Sequence, residues 1–122
     1  MASRIITTHA DATRMPVPDL VRELVDGLGA SVVAAMSGAG SRSLPKKWAE
    51  GTRPGQDKLD RLVLGYRTWR ILKDAEGSSV ALAWMVGSNP RLGESTPVTF
   101  VRDLRAAEVL GAAEAFVSDV PA

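Results

Sequence analysis

The apolar residues of this chain recur at the three- and four-residue intervals that place side chains on one face of a helix. In the N-terminal part this spacing predicts a helix, ended by glycines, whose apolar stripe is Leu20, Val21, Leu24, Val25 and Leu28. Ser31 is positioned to cap a short second helix over residues 32–36. A third short helix is predicted to begin at a Ser41 or Ser43 cap and to end at Gly51.

The longest predicted helix carries one apolar stripe and keeps its basic side chains largely on its other faces. Gln56 and Asp57 are positioned to cap it, and the segment 75–78 ends it. Its stripe consists of Leu59, Leu62, Val63, Tyr66, Trp69 and Leu72. We interpret this helix as the connection between the two halves of the chain, with its aromatic residues in the core.

Residues 83–103 contain the end of one predicted helix and the start of the next. A helix capped by Ser78 or Ser79 must stop before Pro90, because proline lacks the backbone donor and disfavours helical geometry in the residue before it. Thr96 then caps a helix that begins with Pro97. A last amphipathic helix has the stripe Ala106, Val109, Leu110, Ala113, Phe116 and Val117.

No run of residues alternates between apolar and polar as a half-buried strand does, so the sequence predicts an all-α fold with Trp48, Trp69 and Trp84 buried. A chain of 122 residues fits one domain or two small lobes that share a core. We divide it into a flexible tail at 1–15, an N-terminal helix-turn-helix lobe at 16–57, and a connecting helix with a C-terminal lobe at 58–122.

The distribution of charge supports a nucleic-acid-facing segment in the middle of the chain. Residues 41–73 contain nine Lys/Arg and three Asp/Glu, a local net charge of +6, whereas residues 74–122 contain three and seven. A solvated basic helix face would give the same count. If the third helix is the recognition helix of a helix-turn-helix, its contacts with DNA come from Arg42, Ser43, Lys46, Lys47 and Arg53.

The stretch from Trp84 to Phe100 resembles the toxin-binding domain of the MbcA/ParS/Xre antitoxin family, and the resemblance covers residues 59–116. The matching positions are Trp84, Asn89, Pro90, Leu92, Gly93, Pro97 and Phe100. The segment 48–54, with its Trp, Gly and Pro, resembles the end of an Xre-type recognition helix. The chain departs from the family pattern at Glu94, where the family has a second glycine, and after the last helix, where a glycine is often found.

The resemblance implies an antitoxin of a type II toxin–antitoxin pair. Its partner would be a RES-domain toxin that degrades NAD⁺, with the active-site entrance covered by the C-terminal lobe, while the helix-turn-helix lobe binds operator DNA and represses its own operon. It also implies a homodimer or a larger toxin–antitoxin complex. The toxin-binding residues expected on this basis are Trp84, Asn89, Pro90, Arg91, Leu92, Gly93, Phe100, Phe116 and Val117.

Residues suited to catalysis are scarce. The single histidine, His9, lies in the predicted tail, and there is no cysteine and no motif for a nucleophile, a phosphate-binding loop or a metal. We therefore expect a binding protein without enzymatic activity, cofactor or metal. The lack of cysteine, of a signal-peptide core and of a membrane-spanning run indicates a cytoplasmic protein without a membrane partner.

Two alternatives to the antitoxin remain at this point. One is a free-standing Xre-like transcription regulator whose C-terminal lobe only dimerises. The other is a toxin-independent adaptor that has lost DNA binding. For the antitoxin, the apolar end Phe116–Val117 either folds back or enters a cleft of the partner, and we predict the second.

Overall fold

The computed structural model describes residues 14–118, so the predicted tail, with His9, lies almost wholly outside the described residues, as does the chain end after Ser118. Within them the fold is all-α, as predicted, and strands are absent apart from one isolated bridge between Asn89 and Ser95. A short 3₁₀ helix occupies Pro90–Leu92. The α-helices are α1 Val17–Leu28, α2 Ala30–Ser37, α3 Ser43–Ala49, α4 Gln56–Glu76, α5 Ser78–Val86, α6 Pro97–Arg102 and α7 Ala106–Val117.

One hydrophobic core runs through both predicted lobes. Helix α1 packs on α3, while α5 and α7 pack on the long helix α4. Helix α2 packs against α6, so the lobes also touch away from α4. The fully buried side chains of the core include Leu20, Val33, Leu62, Trp69, Met85, Val101 and Val109.

Arg61 fixes the first part of α4 to the end of α6 through a polar contact. Its Nε donates to the carbonyl oxygen of Arg102 at 2.6 Å, and its Nη1 donates to that of Asp57 at 2.7 Å. The first of these bonds satisfies a carbonyl in the last turn of α6, which has no partner within its own helix.

The predicted helix caps were right at one position and wrong at others. Thr96 caps α6, and its Oγ1 accepts a hydrogen bond from the Thr99 N–H at 3.1 Å. The serines and the Gln-Asp pair predicted to cap α2, α4 and α5 do not, because those helices begin earlier and have Gly29, Gly55 and Gly77 at the cap position. Gly29 and Gly77 have φ near +90°, a conformation that glycine adopts without steric cost, so the chain turns there and the next helix starts at once.

The prediction that all three tryptophans are buried holds for two of them. Trp48 and Trp69 are each 2% exposed. Trp84 is only partly buried, because it lies on the flank of α5 rather than on the side that faces α4.

Helix α6 ends in a left-handed residue that is not glycine. Leu104 has φ +56°, the Arg105 N–H donates to the Phe100 carbonyl, and the Leu104 N–H donates to the Val101 carbonyl, both at 2.9 Å. This is the Schellman arrangement, which favours glycine at the left-handed position because a Cβ crowds the carbonyl there.

Replacing Leu104 with glycine is therefore expected to raise the free energy of unfolding by about 0.5–1 kcal/mol. The side chain that is lost is 41% exposed, so little packing goes with it. Urea denaturation measures the change, and Leu104→Ala, which keeps the Cβ, is the control and should bring no gain. Equal stabilisation by both variants would contradict backbone strain as the cause.

Candidate functional site

The predicted DNA-binding side chains of α3 lie on one exposed face. Arg42 and Lys46 are one helical turn apart, as are Ser43 and Lys47, and all four are exposed. The opposite face is buried through Pro45 and Trp48. No ion pair forms at Arg42, Lys46 or Lys47 within residues 14–118, so this face presents uncompensated positive charge. Arg53 is also exposed and lies in the loop between α3 and α4.

Helix α3 is held in place by α1 and by its own short turns. Arg22 of α1 donates from Nη2 to the Ala49 carbonyl at 2.9 Å, which satisfies a carbonyl at the end of α3. Its Nη1 pairs with Asp19 at 2.8 Å, which orients the guanidinium. Pro45 lies in the first turn of the helix, as predicted, where its missing N–H has no partner to lose. The basic face is thus carried on an anchored helix.

In the C-terminal lobe, Asn89 closes the loop that contains the 3₁₀ helix. Its Oδ1 accepts from the Arg91 N–H at 2.9 Å, its carbonyl accepts from the N–H groups of Leu92 and Glu94, and its own N–H donates to the Ser95 carbonyl. Asn89 is 8% exposed. Its side-chain oxygen and both of its backbone groups are therefore used within the loop.

The predicted toxin-binding residues separate into exposed and buried groups. Pro90, Arg91 and Gly93 are exposed at the loop. The side chains of Asn89, Leu92 and Phe100 are buried, so they support the fold of this lobe and are not accessible to a partner in this conformation. The Arg105 guanidinium also covers the Phe100 ring, 4.4 Å from its centroid. These three residues therefore have no exposed side chain for direct contact with a partner.

Two consecutive residues of this loop adopt left-handed backbone conformations. Gly93 has φ +64° and Glu94 has φ +67°. Position 94 therefore has the conformation that favours glycine, although it holds a glutamate. The Ser88 hydroxyl lies 3.4 Å from Glu94 Oε1, within reach of a hydrogen bond across the loop.

The apolar end of the chain contacts the lobe and is still exposed. The rings of Trp84 and Phe116 lie 6.3 Å apart between centroids with a tilt of 51°, a favourable aromatic geometry. Phe116 nevertheless remains 46% exposed, and Val117 is half-buried. The end of α7 therefore folds back onto α5 and leaves one side of the phenylalanine ring in solvent, where a partner can reach it.

Sequence reasoning missed one apolar feature of this lobe, which is the outer side of α5. Only Ala81 and Met85 of this helix are buried. The helix has no charged residue, and its exposed side chains include Val80, Leu82 and Val86. We call Val80, Leu82, Trp84, Val86 and Phe116 the α5 surface. The sequence does indicate this exposed apolar side, because the segment 78–86 lacks the polar face of an ordinary surface helix.

A polar cluster joins α1 to α4 on another side of the molecule. The Tyr66 hydroxyl donates to Glu23 Oε1 at 2.9 Å and accepts from Arg70 Nη1 at 2.7 Å, while Arg70 also pairs with Asp74. Burial raises the pKa of Tyr66 above its usual value, so the phenol is neutral at neutral pH. Arg14 and Met15 complete an open cavity of about 390 Å³ beside the cluster. The positive and negative charges around the cavity balance, which is typical of a structural network.

Neither the basic face of α3 nor the α5 surface contains a group of side chains suited to hold a metal. Within residues 14–118, no three His, Asp or Glu side chains are placed to share an ion. In the same part of the chain, no helix has the length and apolar character needed to cross a membrane. Comparison of the chain with models of known protein families, with curated proteins and with solved structures found no match.

Proposed function

We propose that this protein is a DNA-binding antitoxin whose C-terminal lobe neutralises a cognate RES-domain toxin and whose α3 binds operator DNA. The observation that carries the proposal is the α5 surface, an exposed apolar surface in the stretch that resembles the antitoxin family. Exposed apolar patches of this kind on small proteins are typical of sites for other proteins.

The backbone at position 94 gives further support. The antitoxin pattern has a second glycine where this chain has Glu94, and φ is +67° there. A loop that requires a left-handed residue is the physical reason for a glycine in such a pattern, so the departure changes the residue type but not the turn.

In the proposed mechanism the C-terminal lobe covers the entrance to the toxin's active site. Phe116 and Val117 enter the cleft, where their burial contributes about 3–5 kcal/mol before the costs of ordering. The loop side chains Pro90 and Arg91 contact the rim. Access of NAD⁺ is blocked by occupation of the entrance, which requires no chemistry from the antitoxin.

Co-expression with the product of the neighbouring gene tests the proposal, and the proposal expects that product to be a RES-domain toxin. The full chain is expected to restore growth and the NAD⁺ level of cells that express the toxin, and Phe116→Asp is expected to lose this protection, because a carboxylate cannot enter an apolar cleft without a large desolvation cost. Ala107→Asp is the matched control, since Ala107 is an exposed residue of α7 outside the α5 surface. No protection by the unaltered chain would contradict the antitoxin function.

The basic face of α3 also suits a second function, that of a free-standing Xre-like regulator. Such a regulator would bind its own promoter as tightly as the antitoxin but would have no toxin to neutralise, and its C-terminal lobe would only dimerise. The absence of a RES-type reading frame next to the gene, together with specific promoter binding, would favour this alternative.

A further inference from the structure

We propose that Arg22 of α1 is a positioning residue of the DNA interface, because it fixes the point at which α3 ends and the loop with Arg53 begins. The inference rests on the proposed binding of operator DNA by α3. It goes beyond that proposal, since Arg22 lies outside the predicted recognition helix and is not among the residues predicted to contact DNA.

The carbonyl groups at the end of α3 show what Arg22 contributes. The last four carbonyls of a helix have no partner within the helix. Three of those in α3 accept hydrogen bonds of 3.0–3.1 Å from the N–H groups of the following turn, and the pairs are Glu50 to Lys46 and Lys47, Gly51 to Trp48, and Thr52 to Lys47. The fourth carbonyl, that of Ala49, accepts from Arg22 Nη2 at 2.9 Å. A side chain of α1 therefore completes the cap of α3.

Asp19 holds the Arg22 guanidinium in the orientation that this bond requires. Arg22 Nη1 lies 2.8 Å from Asp19 Oδ1, one turn earlier in α1, while Nη2 reaches α3. An arginine can make both contacts at once because its donors diverge in a planar fork. Both side chains are exposed, so the ion pair itself adds little to stability. Its consequence is the direction of the guanidinium.

The position of this helix end decides whether the cations on both sides of it reach DNA together. Lys46 and Lys47 lie on the exposed face of α3. After the helix the chain turns at Gly51, which has φ +120°, and the exposed Arg53 follows in the loop. We expect loss of the Arg22 bond to let α3 and this loop shift relative to each other, which weakens contacts that need both.

The charge of Asp19 provides a sharp test, because positioning and simple electrostatics predict opposite results. If only charge matters, removal of a carboxylate near DNA strengthens binding. Asp19→Ala is expected instead to weaken binding of the full chain to DNA from upstream of the gene about threefold, because it releases the Arg22 guanidinium. Asp26→Ala is the matched control and is expected not to weaken binding. Asp26 is exposed on the same helix and forms no ion pair anywhere in the described stretch 14–118.

Arg22→Ala is expected to weaken this binding about five- to tenfold. The slope of log affinity against log salt is expected to stay unchanged, because Arg22 acts through α3 and not on a phosphate. The double variant with Asp19→Ala is expected to bind no more weakly than Arg22→Ala alone, since the two residues act in one chain of contacts. Fluorescence anisotropy over a salt series measures affinity and slope, and circular dichroism shows that each variant is folded.

Three results would overturn the inference and leave DNA binding by α3 in place. A slope lowered by nearly one in Arg22→Ala would mean that Arg22 contacts a phosphate itself. Tighter binding by Asp19→Ala would mean that charge alone decides. Unchanged affinity of both folded variants would mean that the contact serves stability only. Absence of DNA binding by the unaltered chain would instead overturn DNA binding by α3 and this inference together.

Discussion

Replacing Trp69 with alanine is expected to lower the free energy of unfolding by about 3–5 kcal/mol, which is much of the stability of a small domain. Trp69 is 2% exposed, lies at the centre of α4, and has its ring 5.8 Å from that of Tyr66 between centroids. Its removal takes the largest fully buried side chain out of the core and leaves a cavity. Urea denaturation followed by circular dichroism measures the loss.

Gly27 of α1 permits this packing, because an ideal Cβ at position 27 would lie 2.4 Å from Trp69 Cζ2. Gly27→Ala is therefore expected to destabilise by about 1–3 kcal/mol, although alanine normally favours a helix over glycine. In the Trp69→Ala background the clash is absent, so the same substitution is expected to be neutral or stabilising there.

Gly111 provides the matched control for the Gly27→Ala substitution. It lies in α7 with no atom within 4 Å of an ideal Cβ, so Gly111→Ala is expected to stabilise by about 0.5–1 kcal/mol. If Gly27→Ala also stabilises the unaltered chain, the close approach of Trp69 to α1 is wrong. A loss of less than about 1 kcal/mol for Trp69→Ala would likewise contradict its position in the core.

The triple replacement of Arg42, Lys46 and Lys47 with alanine is expected to weaken binding to DNA from upstream of the gene by about a hundredfold or more. The three cations lie on one exposed face at α3 and form no ion pair with the residues that the structure describes, so each is available to a phosphate or a base edge. Loss of three phosphate contacts also lowers the slope of log affinity against log salt by about 2.7. Fluorescence anisotropy over a salt series measures both quantities.

Arg102→Ala is the single-charge control for the DNA experiment. Arg102 is exposed and pairs with Asp103 in the C-terminal lobe, so its removal is expected to leave the slope unchanged, whereas Lys47→Ala alone lowers the slope by nearly one. Equal effects of the two single substitutions would mean that binding reflects overall charge. An unchanged affinity in the triple variant would remove α3 from the DNA interface.

The helices were predictable because apolar stripes and helix-starting or helix-ending prolines are recognised from residues that lie close together in the sequence. The last helix was predicted to span Ala106 to Val117 and does so, and Thr96 with Pro97 begins α6 as expected. The caps of α2 and α5 were not predictable in the same way, since serine is a common cap and only the backbone reveals that Gly29 and Gly77 turn the chain first.

The candidate site was predictable only in part, for a different physical reason. The basic residues of α3 are exposed because charge is costly to bury, so the sequence pattern alone indicates their position. Apolar residues give no such guide. Leu92 faces inward while Leu82 and Val86 face solvent, and this difference depends on how α5 and its loop pack against α4 and α7.

The core that runs from α1 to α7 contains buried side chains of both lobes and so links their stabilities. Because the lobes share buried side chains, we expect that neither lobe retains its fold when the other is lost. A ligand that binds only the folded state adds RT ln(1 + [L]/Kd) to the stability of the whole chain, about 2.7 kcal/mol at a hundredfold excess over Kd. A protein bound at the C-terminal lobe is thus expected to protect α3 from unfolding and from proteolysis, so the lifetime of the proposed DNA-binding helix would depend on occupancy of the other lobe.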